Sequence, residues 1–410
     1  DQNAYWNWAE PMMGEGMLMF DDVALEMDGA MPEASADVGI AGGTAPSSTG
    51  VDEDRTGTFS ETNNQESGVD EADFLKFDGH HFYMINNNHL VIIGVPEHGN
   101  LTLVADMELE GRPLQMMMQE DHLVIISSIN SWNIPQNDPL RSIMQTSDGN
   151  WRSSSLVKYS VIDISNQSDP TIGRELFIEG SHETARMVNG TVRSVSHMWS
   201  YIPGLQTYPS LPTDYWNTES WEDRMNLWNV SVDSLIETNQ VVIESLTMAD
   251  FAPQMHERNA DGTITTLPSS SSGDCSEFSG SADGVGRGFT SIMTVDLISE
   301  NYSSEVDHIA SSWVEVYSSG DMMVLAEPAN DWWWFWRNND YEDATNIHAF
   351  DISVEGETTY IGSGRVTGSV QDQFSLSEYN GDIRVASTTD SWGRWWLTED
   401  GEWEVIEPTN

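Results

Sequence analysis

The strongest constraint on this chain is a cassette that it carries five times: a two-residue turn followed by a short hydrophobic strand. The copies are Asp78-Gly79 before His81–Ile85, Glu120-Asp121 before His122–Ser127, Asn189-Gly190 before Thr191–Ser196, Gly320-Asp321 before Met322–Glu327, and Asn380-Gly381 before Asp382–Ser387. Glycine, asparagine and aspartate tolerate the positive φ that tight reversals need, so each dipeptide turns the chain back between antiparallel strands. A second glycine element precedes several copies: Leu109-Glu110-Gly111, Ile178-Glu179-Gly180 and Val366-Thr367-Gly368. A third pattern, VIDIS at Val161–Ser165, TVDL at Thr294–Leu297 and AFDIS at Ala349–Ser353, precedes the strands of each next unit.

Degenerate repeats of four short strands with turn residues between them predict an all-β propeller of four-stranded blades. The competing reading is a β-sandwich with coincidental hairpins, which does not repeat a turn–strand cassette this regularly. Residues 58–410 carry the pattern, interrupted at 200–288. In the interruption, Trp221, Met225 and Trp228 fall on one helical face, behind Thr213-Asp214 or Thr218-Glu219 as caps. Ser231–Leu246 reads either as a second helix or as a helix running into a strand.

The stretch TNNQESGVDEADFLKFDGHHFYMI, within residues 58–85, resembles the opening signature of the secreted "β-propeller domain" family of archaea and some bacteria. A second match spans residues 345–387, with Thr345–Asp351 (TNIHAFD) leading to Gln373–Ser387 (QFSLSEYNGDIRVAS); a weaker one is Ser291–Leu297. The resemblance implies an exported propeller, distantly similar to WD-type propellers. Members of that family carry further strands after the last cassette. The expectation is therefore that the native polypeptide extends past Asn410, or that a second fragment completes the propeller.

Residues 1–57 lack the cassette. They bring Trp6, Trp8, Met17 and Phe20 on a Gly/Ala/Ser-rich acidic tether that has no core of its own in which to bury them. The segment reads as a flexible leader or as an arm that pairs with a neighbouring subunit, and exposed aromatic side chains favour the arm.

Among 410 residues, 67 are acidic and 16 basic, a formal charge of −51. Such a surface repels nucleic acid and anionic headgroups, which excludes both as partners. It attracts divalent cations and suits high ionic strength, where salt screens the self-repulsion. The single cysteine, Cys275, allows no intrachain disulfide, and no apolar run reaches membrane-spanning length. Sequons at Asn100, Asn166, Asn189, Asn229 and Asn301 fit a glycosylated, extracellular or cell-surface protein.

Chemistry-bearing motifs are few. Asp70, Glu71 and Asp73 form the best metal candidate, since closely spaced carboxylates suit Ca²⁺; the competing reading has them capping turns. The histidines show no zinc spacing, and there is no Gly-x-Ser-x-Gly elbow or phosphate loop. The Met runs at Gln115–Met118 and Met322-Met323 read as core filler. Trp332, Trp333, Trp334 and Trp336 read first as a subunit interface and second as a carbohydrate platform. The expected function is a non-enzymatic structural subunit that assembles with copies of itself, as an oligomer or filament, through the N-terminal arm. The alternative is an extracellular propeller enzyme or carbohydrate-binding module.

Overall fold

A computed structural model describes residues 65–66, 68–97, 100–146, 148–199, 201–268, 277–281, 288–329 and 344–389, all within the compact unit Asp54–Asn410. The expected arm residues Trp6, Trp8, Met17 and Phe20, the Trp332–Trp336 run and Cys275 lie outside the described residues. The architecture is the all-β propeller that the cassettes predict. After a short strand β1 (Asp70–Glu71), sheet one contains β2 (Leu75–Phe77), β3 (His81–Asn86), β4 (His89–Glu97) and β5 (Asn100–Glu108). Sheet two contains β6 (Arg112–Gln119), β7 (His122–Asn130), a short helix α1 (Pro139–Met144), β8 (Ser155–Asp163) and β9 (Thr171–Glu179). Sheet three opens with β10 (Ser181–Val188) and β11 (Thr191–Trp199).

The insertion follows. It holds α2 (Trp221–Ser245), α3 (Met248–Phe251) and the strands β12 (Met255–Arg258), β13 (Ile264–Leu267) and β14 (Phe278–Gly280). Then β15 (Gly288–Asp296) and β16 (Ser304–Ser311) complete sheet three. Sheet four is β17 (Glu315–Ser318), β18 (Met322–Pro328), β19 (Ala344–Asp351) and β20 (Thr359–Thr367). Sheet five is described by β21 (Leu376–Tyr379) and β22 (Asp382–Val385).

Within each sheet, consecutive strands pair antiparallel, and the repeated motifs explain why. Asn189-Gly190 and Asn380-Gly381 hold φ of +49° and +75°, and of +56° and +84°, the left-handed pair that a two-residue hairpin turn requires. The Asp of the third pattern ends the third strand. Asp163, Asp296 and Asp351 each accept the N–H two residues on, at 2.8, 2.9 and 2.9 Å. The residue between is buried in every case: Ile164, Leu297 and Ile352. Its own N–H donates to the cassette turn of the same sheet, at Asp121, Gly190 and Asp321 respectively. Two sequence signals far apart in the chain thus close one sheet.

The cores lie between sheets. Tyr83, Leu90 and Ile92 meet Met116, Leu123 and Ile125 between sheets one and two. Met117, Tyr159 and Leu176 meet Met187, Val192 and Met293 between sheets two and three. Val195, Ile292 and Ile309 meet Met323, Leu325 and Phe350 between sheets three and four, and Tyr317 and Val324 meet Leu376 between four and five. Met116, Met117 and Met323, from the Met runs, sit in these cores.

The insertion differs from expectation. Trp221–Ser245 is one continuous helix, capped by the Ser220 hydroxyl rather than by Asp214 or Glu219. Met225 and Trp228 are half-buried, while Trp221 remains exposed, because the helix packs on the segment before it through Tyr215–Trp228 ring contact and a two-way Gln206–Asn239 hydrogen bond. The rest of the insertion adds edge strands. β12 pairs with β9 and β13 with β12, so sheet two grows to six strands. β14 adds in parallel to β16 at the outer edge of sheet three.

Candidate functional site

Two places in the fold gather polar groups. The first is the segment Gln65–Phe77, which runs along the first strands of all five sheets. Gln65 Nε2 donates to the Gln373 carbonyl (3.1 Å), at the start of sheet five. The Tyr317 hydroxyl of sheet four donates to Glu66 Oε1 (2.8 Å) and accepts the Glu378 N–H of sheet five (2.9 Å). Val69 is buried in the core between sheets three and four. Asp70 and Glu71 form β1 opposite Met187 and Arg186 of sheet three, and Asp73 bridges to Met116 of sheet two. Leu75–Phe77 then enters sheet one. The described part of this segment touches all five sheets.

The acidic candidates are used within this strap. Asp70 takes the buried Lys76 ammonium at 2.8 and 2.9 Å, Glu71 lies 3.7 Å from Arg186, and Asp73 caps the Phe74 N–H at 2.7 Å. Their chain spacing is close, but the backbone sends them to three different partners. No group of three Asp, Glu, His or Cys side chains among the described residues is placed to hold a metal ion. Arg186 completes the strap by donating to Gln373 Oε1 at 2.6 Å. Next to it, His182 lies 2.8 Å from Gln115 Oε1, and burial lowers its pKa to about 4, so the imidazole is neutral. Glu315 of sheet four lies near Glu183 of sheet three and near Asp372, just ahead of sheet five. Burial, with repulsion from Glu315, pushes the Glu183 carboxyl up, and burial with Asp372 does the same to Glu315.

The second place is the packed interface between sheets three and four, at the end where β11 and β18 finish. Along β11 the positions Val195, His197 and Trp199 share one face, because strand side chains alternate. Val195 is in the core shared with sheet four, so His197 and Trp199 lie on the strand face turned toward sheet four. By the same alternation, Glu327 follows Leu325 on β18, and Asn346 and His348 precede Phe350 on β19. His197, Glu327, Asn346 and His348 are all buried.

The hydrogen bonds there are partly filled. Glu327 accepts the Ser312 N–H at 2.8 Å, and His348 Nε2 lies 3.4 Å from its other oxygen. The other ring nitrogen of His348, Nδ1, lies 2.7 Å from the Ser363 hydroxyl. His197 Nδ1 is 3.3 Å from the Thr290 hydroxyl, but its Nε2 finds no partner among the described residues. Asn346 Oδ1 accepts from Arg365 while its Nδ2 finds none. Burial lowers the His197 pKa, with nearby Glu327 opposing it. Histidines scattered in sequence thus converge on one carboxylate through the fold. The signal available in the sequence was a Glu, an Asn and a His at inward positions of otherwise apolar strands.

The sequon residues Asn100, Asn166, Asn189, Asn229 and Asn301 are all exposed. Among the described residues, no helix is long and apolar enough to cross a membrane.

Comparison with known proteins agrees with the fold. The family model described as "Beta propeller domain" matches residues 59–406. A curated relative, an uncharacterized protein of Methanocaldococcus jannaschii, is 22% identical over 375 residues, covering 82% of this chain and 50% of the relative. The chain therefore spans about half the length of that relative. Among solved structures, the N-terminal domain of Nup159 aligns over 71% of this chain and 65% of its own, at 11% identity and a TM-score of 0.20. A Synechocystis apocarotenoid oxygenase aligns over 77% of this chain and 67% of its own, at 9% identity and a TM-score of 0.22.

Proposed function

This chain belongs to the beta propeller domain family, and on that premise we propose that it is a structural subunit of an acidic extracellular surface assembly, joining copies of itself edge to edge. The observation that carries this reading is the uneven covering of the outer strands. Sheets two and three have their outer edges occupied by the chain's own insertion, through β12 and β14. Among the described residues, the outer strands of sheets one and four, β5 and β20, pair on one side only, and they are exposed along most of their length. Leu101, Leu103 and Ile361 on them are exposed by 60%, 68% and 57%. An open edge with apolar side chains is a template for strand addition, and an extended arm with aromatic residues is a suitable donor. An arm that reaches a neighbour makes a head-to-tail contact, which propagates.

The charge distribution supports an assembly controlled by ions. Several basic side chains are committed inside the fold. Arg152 pairs with the fully buried Glu179, Lys158 and Arg258 share Glu110, and Arg174 pairs with Glu257. The acidic excess is left to the surface, where copies repel one another until salt or divalent cations screen them. The exposed sequons suit an exported protein.

The test is sedimentation of the full chain and of a truncated chain that starts at Thr58. The full chain should polymerise, more strongly as salt or divalent cation rises, and the truncated chain should sediment as a folded monomer. Polymers of unchanged size from the truncated chain would remove the arm from the interface.

A further inference from the structure

We propose that Ser363, His348 and Glu327 form a catalytic triad on sheet four that hydrolyses neutral carboxylic esters, with the Tyr360 hydroxyl as donor to the oxyanion.

Strand register brings the three together. His348 of β19 stands directly opposite Ser363 of β20 on one side and Leu325 of β18 on the other. Opposed residues share a face of the sheet, and so does Glu327, two positions on from Leu325. The Ser363 hydroxyl lies 2.7 Å from His348 Nδ1, and His348 Nε2 lies 3.4 Å from Glu327 Oε2. The other Glu327 oxygen is fixed by the Ser312 N–H at 2.8 Å. A carboxylate only accepts, so Nε2 carries the ring proton and Nδ1 is bare toward the serine. That tautomer is the one a general base needs. The Tyr360 hydroxyl is 2.5 Å from Ser363 Oγ. With the serine proton aimed at His348, Tyr360 is the donor of that pair, beside the atom that would attack.

Access distinguishes this arrangement. Ser194 with His182 and Ser291 with His308 are also within hydrogen-bond range, but those hydroxyls belong to residues 0% and 1% exposed. Ser363 is exposed on the outer strand of its sheet, while His348 and Glu327 behind it are fully buried. Gly362 and Gly364 flank the serine, and a Cβ on either would meet nothing within 4 Å, so the backbone there is open to close approach. The chain order Glu, His, Ser is immaterial, because geometry defines a triad.

The step balances with these groups and water alone. Ser363 Oγ attacks the acyl carbon as its proton passes to His348 Nδ1, and Tyr360 donates to the carbonyl oxygen as it becomes an oxyanion. The bond to the leaving alcohol breaks, and the imidazolium proton goes to the departing oxygen. Water then attacks the acyl-serine and gives its proton to Nδ1. The acyl–Oγ bond breaks, Ser363 regains the proton, and the carboxylic acid leaves. The formal charge of −51 disfavours anionic substrates, hence a neutral ester.

This inference stands apart from assembly, since the triad lies on a face of sheet four and not along its hydrogen-bonding edge. The experiment treats the full chain with a fluorophosphonate and, separately, measures its hydrolysis of p-nitrophenyl acetate. Peptide mass mapping should place the phosphonate on Ser363, and hydrolysis should saturate with substrate. Ser363→Ala changes an exposed hydroxyl, so the variant should melt with the parent, yet lose the label and fall to the buffer rate. Tyr360→Phe keeps the ring packed and should lower kcat about a hundredfold. Glu327 acts through His348 as a positioning residue. Glu327→Gln should therefore lower kcat about tenfold or more with KM unchanged, a split that simple loss of folded protein combined with altered binding would not give. Ser142→Ala, exposed on α1, should match the parent in both assays. A Ser363 that stays unlabelled overturns the proposal. So does hydrolysis that survives Ser363→Ala unchanged, which would assign it to other groups on the surface.

Discussion

Arg186→Ala should destabilise the whole propeller by about 3–5 kcal/mol, the usual result of removing one partner from a buried charged network. Arg186 is 6% exposed and its guanidinium does three things at once. It donates to Gln373 of sheet five, to Thr184 and the Ala185 carbonyl of its own strand, and stands beside Glu71 of the strap. Its loss removes the donor to the Gln373 side-chain oxygen and the positive charge beside Glu71. Val69→Asp should be at least as damaging, because it puts an unpaired carboxylate into the core between sheets three and four. Denaturant midpoints measure both. Arg112→Ala, at an exposed position on β6, is the control and should not move. Midpoints unchanged in Arg186→Ala and Val69→Asp would mean that the strap carries no stability.

Asp307→Asn should do the opposite, increasingly as pH rises above about 4. Asp307 sits on β16, facing sheet four, 8% exposed. Burial, then repulsion from Glu305 and Glu277, pushes its pKa from the ordinary 3.8 up to about 7. The folded state therefore holds this proton more tightly than the unfolded chain does. The resulting stabilisation is fully present below about pH 4 and is lost as pH rises through about 7. Above that the ionised carboxyl is a penalty of at most about 4 kcal/mol. The amide carries no such charge, so melting curves of variant and parent should coincide below about pH 4, separate progressively as pH rises, and reach full separation by about pH 7, with the variant the more stable. A variant that is no more stable than the parent at high pH would place the Asp307 carboxyl in a better-solvated site.

What could be read from the sequence was local. Turn dipeptides such as Asn189-Gly190, the Asp of VIDIS and AFDIS, and the strand alternation act over a few residues, so composition and order suffice to find them. The pairing of Asp121 with Ile164, or of Gly190 with Leu297, was implicit in the repeat itself. The insertion strands were not legible. β12 and β13 have little hydrophobic pattern of their own: Met255, Ile264 and Leu267 reach the neighbouring cores, and an existing edge holds the rest. The helix Trp221–Ser245 was read as two elements because polar residues interrupt its apolar face, and only the contact with Tyr215 and Asn239 makes it one. The candidate site was harder still. His197, Glu327 and His348 are separated by up to 151 positions and meet only because sheets three and four pack face to face. The acid cluster Asp70, Glu71 and Asp73 is the converse case: near in sequence, and parted by a strand that points its side chains to different neighbours.

The central claim is that Gln65–Phe77 is an integral strap across the first strands of all five sheets. Hydrogen–deuterium exchange of the intact chain tests it most directly. The Asp73 N–H donates to the Met116 carbonyl at 3.1 Å, the Met116 N–H returns to Asp73 at 2.6 Å, and β1 pairs with β10. Peptides covering residues 69–77 should therefore exchange as slowly as those of β7 and β11, and only with global unfolding. Exchange of that segment within seconds, at the rate of an exposed loop while β7 and β11 stay protected, would contradict the strap.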